Sequence, residues 1–158
     1  MDNLARGLKE ILEETAYSKV RIALENTAGQ GSSIGGPLEN LREIFDRVGS
    51  SRIGYCIDTC HAFVQGYDIR TQTGFEDFVA LADKHLTLNN ILALHLNDSK
   101  GELGSHLDRH EHIGHGRLGL EPFRQIMKHF QHLPKVLETP KEDDWDQRNL
   151  AQLRELQQ

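Results

Sequence analysis

Five of the nine histidines in this chain fall between Leu94 and Gly119, in the stretch LHLNDSKGELGSHLDRHEHIGHGRLG. Imidazoles and carboxylates gathered at short spacing are donors for a divalent cation. In the tripeptide DRH, Asp108 and His110 stand two apart, so both point the same way if the segment is extended. In DTCH, His61 follows Asp58 by three residues. His61, Asp108 and His110 together could supply three protein ligands and leave one position open, which is the pattern of a catalytic zinc site. The remaining histidines make weaker claims. His106, His112 and His115 read as exposed loop residues, and His85, His129 and His132 as surface groups on helices or their ends.

These residues need a frame that brings them together. Helical spacing of Leu4, Leu8, Ile11 and Leu12 predicts a helix over Asp2 to Glu14. The alternation in KVRIALE predicts a strand over Lys19 to Glu25, followed by a glycine-rich loop, TAGQGSSIGGP. Further helices are expected over 37–48, 74–88, 120–130 and 145–156, and further strands over 52–58, 91–96 and 135–138. Pro37 and Pro122 suit helix first turns. The order is one helix and then four strand–loop–helix units, which predicts parallel strands with crossover helices in a single domain, residues 1–158.

The four strands end at Glu25, Asp58, His95 and Glu138, each about one strand–helix unit beyond the last. In an α/β barrel, residues at the C-terminal strand ends share one mouth, where active sites lie. Taken singly, each reads as a polar strand-end residue facing solvent. Taken together, the three carboxylates would repel one another without a cation, and their O donors with the imidazole N suit Zn²⁺ or Mn²⁺. The connection from Leu96 to Leu120 is long for a strand-to-helix loop, and such loops are uncommon unless functional.

Composition is that of an ordinary globular domain, with 37% hydrophobic and 27% charged residues. No apolar run is long enough to span a membrane, and the N-terminus lacks a signal-peptide layout, so a cytoplasmic location is expected. Cys56 and Cys60 are too far apart for a disulfide if they share a strand, and read as buried thiols. A net charge of −6 argues against nucleic-acid binding on its face, because phosphate recognition usually wants a basic surface.

The segments GYCIDTCHAFVQGYDIRT, LHLNDSKGELGSHLDRHEHIGHGRLG and LETP resemble the signature segments of endonuclease IV, the zinc-dependent apurinic/apyrimidinic (AP) endonuclease family; LENTAGQGSSIG resembles the same family's fifth strand and following loop. The resemblance runs over nearly the whole chain and implies strands five to eight, the C-terminal half, of a xylose-isomerase-like (β/α)₈ TIM barrel. It implies a three-zinc cluster that hydrolyses DNA 5′ to an abasic site in base-excision repair and leaves a 3′-hydroxyl. Carried over residue by residue, Glu25 resembles the carboxylate bridging the first and second zinc ions. Asp58, His95 and Glu138 resemble the other ligands of the second, and His61, Asp108 and His110 the ligands of the third. Glu25 and Glu138 are then the residues expected to act directly in catalysis. Two histidines of the first site would come from an N-terminal half-barrel that this sequence does not contain, so two of three sites are largely present.

On this reading the charge objection weakens, because the phosphate meets the metal ions at the mouth and not the average surface. Lys100, Arg109 and Arg117 lie in the same loop and are candidates for flanking DNA phosphates, or equally for solvated surface charges. The expected partners are DNA containing abasic sites and either the missing half-barrel or a second copy of the chain. Two other readings stay open. One is a metal-dependent sugar isomerase or epimerase of the same barrel superfamily, which would use Glu25, Asp58, His95 and Glu138 for one metal and has no need of His61 with DRH. The other is an inactive half-barrel, which the length favours, since four strands leave two sheet edges open.

Overall fold

Four strands form one parallel sheet. In the computed structural model, which describes residues 1–157, β1 (Ile22–Glu25), β2 (Ile53–Asp58), β3 (Ile91–His95) and β6 (Lys135–Val136) lie in the order β1-β2-β3-β6. Neighbours in sequence are neighbours in space, as in a barrel wall. Helices α1 (Asp2–Glu14), α2 (Leu38–Val48), α3 (Thr59–Gln65), α4 (Gln72–Leu86), α5 (Glu121–His129) and α6 (Trp145–Leu156) connect and flank the strands. No helix among the described residues is long and apolar enough to cross a membrane.

Strand alternation divides the sheet into two faces. Tyr55 is fully buried, and its ring lies 5.1 Å from that of Phe45 on α2, so Ile53, Tyr55 and Ile57 face the helices. Leu38, Leu41, Ile44, Phe75, Phe123 and Ile126 complete that core from the helix side. Burying a side chain of this size contributes roughly 1.5–3 kcal/mol. Gly54, Cys56 and Asp58 therefore point the other way, toward what would be the barrel interior. That face is built of small residues for a reason: a Cβ on Gly54 would lie 2.6 Å from the Asn90 carbonyl. Val136 on edge strand β6 stays 47% exposed, and Val20, just ahead of edge strand β1, 69%.

The expected elements are present, with three differences. The strands are shorter than their apolar runs: β1 pairs from Ile22 and β6 spans two residues, because each has a ladder partner on one side only. Helix α3 was not expected. Its sequence TCHAFVQ is buried at five of seven positions, so it shows no amphipathic contrast. The long Leu96–Leu120 connection is not structureless, since β4 (Asp98–Ser99) and β5 (His110–Glu111) pair antiparallel within it.

Candidate metal centre

Asp58 is the last residue of β2 and the N-cap of α3, and it organises the centre. Its Oδ1 accepts the backbone N–H of His61 at 2.8 Å, which is the ordinary cap-to-third-residue bond of a helix start. That bond is why an aspartate and a histidine three apart share one site. Two asparagines hold Asp58 in turn. Asn26, at the end of β1, accepts the Asp58 N–H at 2.7 Å and donates to its carbonyl at 3.1 Å. Asn97, just beyond β3, donates to Asp58 Oδ2 at 2.6 Å and accepts the Glu138 N–H at 2.8 Å. Asn26, Asp58 and Asn97 are all essentially inaccessible to solvent. Sequence reading passed over both asparagines, which carry no periodic or charge signal.

Glu25, Asp58 and His95 close β1, β2 and β3, while Glu138, expected to end its strand, lies two residues beyond β6 because the ladder stops at Val136; the four side chains nevertheless meet. His95 Nδ1 lies 3.0 Å from Glu25 Oε1 and 3.1 Å from Glu138 Oε2. Glu25, Asp58, His95 and Glu138 each offer a donor atom, and these atoms lie within 4.8 Å of one another. A second group adjoins it. Asp108 Oδ1 is 3.2 Å from His61 Nε2 and 3.4 Å from His110 Nε2, and these three residues likewise bring donors within 4.8 Å of one another.

The histidine tautomers follow from their far sides. His61 Nδ1 faces the Asn26 carbonyl at 2.9 Å, and His110 Nδ1 faces the Glu138 carbonyl at 3.1 Å. A carbonyl only accepts, so Nδ1 carries the proton in each neutral ring, and Nε2 is the nitrogen that gives up its proton to present a lone pair when a cation binds. Both Nε2 atoms are buried and make no hydrogen bond, despite the nearby Asp108 oxygen. Buried polar atoms without partners are rare. Two of them converging on one carboxylate, each held by an outer hydrogen bond, fit a divalent ion.

Electrostatics agree. Burial works to raise the Glu25 carboxyl, but hydrogen bonds from His61 and His95 outweigh it and hold it down at about 2. Burial works to lower His61, yet the Glu25, Asp58 and Asp108 carboxylates push it up to about 9. Hydrogen bonds to the Cys56 thiol and to Glu25 push His95 up to about 11. Without a cation the acidic cluster retains protons on its imidazoles. Cys60 also comes within donor range of Asp58 and His110, but burial pushes its thiol up to about 12, so it stays protonated. Cys56 and Cys60 are both free and buried, as expected.

The loop bearing Asp108 and His110 is tied down by Asp98. Its buried carboxylate accepts N–H groups from Ser99 at 2.7 Å, Gly114 at 3.0 Å, Gly116 at 3.0 Å and Leu118 at 2.9 Å. His112 does not behave as an exposed loop residue. It is buried and stacks flat on Trp145, with ring centres 3.9 Å apart. Its apolar partner lies in α6, far along the sequence. His106 and His115 are exposed, as expected. The three basic candidates lie on the surface outside both donor groups. Arg117 pairs with Glu102 at 3.0 Å, Lys100 approaches Glu111 at 3.9 Å, and Arg109 donates to the Asp108 carbonyl at 2.6 Å.

Comparison with known proteins places this arrangement. The family described as the xylose isomerase-like TIM barrel, of AP endonuclease type 2, matches residues 1–157. A probable endonuclease 4 from Aquifex aeolicus is 43% identical over 158 residues, covering 99% of this chain and 56% of that protein. One from Trichlorobacter lovleyi is 47% identical over 163 residues, covering 99% and 57%. The chain thus spans about half the length of the curated relatives it matches. Among solved structures, endonuclease IV from Thermus thermophilus superposes with a TM-score of 0.79 at 32% identity, over 96% of this chain and 57% of that one. A D-tagatose 3-epimerase-like protein, at TM-score 0.75 and 24% identity over 98% and 53%, shares the fold. With its parallel half-barrel sheet and its match over residues 1–157, the chain belongs to the xylose isomerase-like TIM barrel family of AP endonucleases.

Proposed function

We propose that this chain forms the C-terminal half of a zinc-dependent AP endonuclease, which hydrolyses the DNA phosphodiester 5′ to an abasic site and leaves a 3′-hydroxyl. The observation that carries the reading is the pair of buried, unpartnered Nε2 atoms of His61 and His110 facing Asp108, beside the Glu25–Asp58–His95–Glu138 group. An isomerase using one metal needs the Glu25–Asp58–His95–Glu138 group only and has no use for the His61–Asp108–His110 group. The likeness of the relatives named probable endonuclease 4 supports the nuclease reading over it.

Zinc suits the donor set of imidazole and carboxylate, and Mn²⁺ could substitute. Bound there, such ions lower the pKa of water and offset charge on the phosphoryl and leaving oxygens. The protein's part is geometric. Glu25, placed between His61 and His95, would bridge toward the first metal site, and Glu138 with Asp58 and His95 would complete the second. His61, Asp108 and His110 would hold the third. Asn97 holds the Asp58 carboxylate and Asn26 fixes the Asp58 backbone, so the Asp58 side chain keeps its place in the Glu25–His95–Glu138 group while capping the helix that carries His61. Lys100, Arg109 and Arg117 lie along the same loop and would meet flanking phosphates. The first site would be completed by residues of the N-terminal half-barrel, which would also close the sheet edges at β1 and β6.

A labelled duplex with one abasic analogue tests this. The chain mixed with the N-terminal half of a relative should nick on the 5′ side, and a strong chelator should abolish it. Nicking that persists in chelator, or sugar interconversion without nicking, would overturn the proposal.

A further inference from the structure

Helix α6 is hydrogen-bonded to the segments that carry the donors through the Asn149 side chain. Asn149 is 1% exposed and makes three hydrogen bonds. Its Oδ1 lies 3.0 Å from the Ile113 N. A backbone N–H only donates, so this contact fixes which end of the amide is oxygen. The Nδ2 then faces Thr139 Oγ1 at 3.0 Å and His112 Nδ1 at 3.2 Å. His112 and Ile113 follow His110 in the loop, and Thr139 follows Glu138 at the strand end. One buried amide therefore bonds both segments. One turn earlier on the same helix face, Trp145 stacks on His112. The two segments meet again where His110 Nδ1 faces the Glu138 carbonyl.

We infer that Asn149 is a positioning residue that sets the loop bearing Asp108 and His110 against the strand end bearing Glu138, so that the two donor groups assemble together. The functional consequence rests on the metal reading proposed above; the positioning itself does not. Loss of a partner bonded directly to a metal ligand typically weakens affinity by about 10- to 100-fold; Asn149 bonds the residues next to the donors, so its loss falls at the lower end, about 10-fold. The neighbouring Leu153, one turn further along α6, is buried but belongs to the apolar core. Leu153→Ala therefore loosens the same helix without removing a bond to the loop.

Three variants of the full chain decide it: Asn149→Ala, Thr139→Val and Leu153→Ala. Two readouts are taken, hydrogen exchange over residues 108–115 and along α6 of the metal-free protein, and visible absorption during Co²⁺ titration. Asn149→Ala should speed exchange selectively at Ile113 and its neighbours and weaken Co²⁺ binding by about 10-fold. Thr139→Val, which removes only the strand-end bond and nearly preserves shape, should move Co²⁺ affinity the same way by less. Leu153→Ala should leave both unchanged. Wild-type affinity and exchange in Asn149→Ala, or the same losses in Leu153→Ala, would overturn the inference. Should Asn149→Ala not fold, wild-type Co²⁺ affinity in Thr139→Val would overturn it. If the unmodified chain binds no Co²⁺, the metal reading falls, and exchange alone decides the positioning role: selective loss supports it, and uniform loss along α6 overturns it.

Discussion

Asp58 and His61 are joined by a helix cap: the carboxylate of the one accepts the backbone N–H of the other at 2.8 Å, and both side chains then open into the same centre. The same carboxylate receives the Asn97 amide at 2.6 Å. Folding and donor placement therefore use one group. Asp58→Asn should retain a cap oxygen but set its own amide nitrogen against that of Asn97. A buried donor without an acceptor costs about 1–3 kcal/mol. Asp58→Ala should cost more, because the cap is lost as well. Urea melts of the two metal-free variants would show this ordering; equal stability of Asp58→Asn and the unmodified chain would refute it.

Metal content should follow the two donor groups separately. The folded chain, loaded and passed through gel filtration, should retain about two zinc ions, one for each group of three or more donors. Asp108→Ala and His95→Ala should each lose about one of them. Elemental analysis checks both numbers. Less than about one ion per chain, unaltered by either substitution, would remove the basis for the zinc assignment.

The metal-free chain should be most stable in mildly acidic solution. Glu25 is lowered from its ordinary 4.5 to about 2, so its contribution is present above 4.5 and lost as the pH falls toward 2. His61 is raised from 6.5 to about 9, so its contribution is complete below 6.5 and lost as the pH rises through 9. Scanning calorimetry in chelator should place the highest Tm between the two ordinary values, with a decline on the alkaline side. Zinc should reverse that decline, because metal replaces the protons on the imidazoles. A Tm that rises from neutral to alkaline pH without metal would contradict the assignment.

Gly116→Ala should loosen the loop. An added Cβ would lie 2.4 Å from both the Ser99 carbonyl, which is backbone, and Asp98 Oδ1, which is held by its N–H bonds. The carboxylate must then give up part of its set of four N–H bonds. Faster proteolysis within 100–118, with the rest of the chain protected, is the expected outcome. An unchanged digestion pattern would show that the loop absorbs the methyl group.

The isolated chain should self-associate. Edge strands β1 and β6 each lack a ladder partner on one side among the described residues, and exposed strand edges invite pairing. Val20 and Val136 add exposed apolar surface beside them. Light scattering should report a dimer or larger species. Supplying an N-terminal half-barrel should convert it to a one-to-one complex and restore nicking. A monodisperse monomer that nicks abasic DNA as fast as a full-length relative would show that neither edge needs covering.

Much of the centre was legible in the sequence because its residues end periodic segments. Glu25, Asp58, His95 and Glu138 each close an apolar run, and parallel strand order alone predicts that such ends share a mouth. The tripeptide DRH adds its own signal through two-residue spacing. What holds these groups in place was not legible. Asn26, Asn97 and Asn149 are neutral, aperiodic and distant in sequence from what they bond, so their value exists only once three strand ends and a helix are brought together. His112 shows the same limit: its burial depends on Trp145, in another element altogether. Helix α3 hid because a helix of two turns buried at five of seven positions has no broad polar face to mark its period. Residue types and spacing thus determined the candidate donors and the parallel order that gathers them. Tertiary structure decided which nitrogen of each histidine is free, because that depends on carbonyls supplied by other strands.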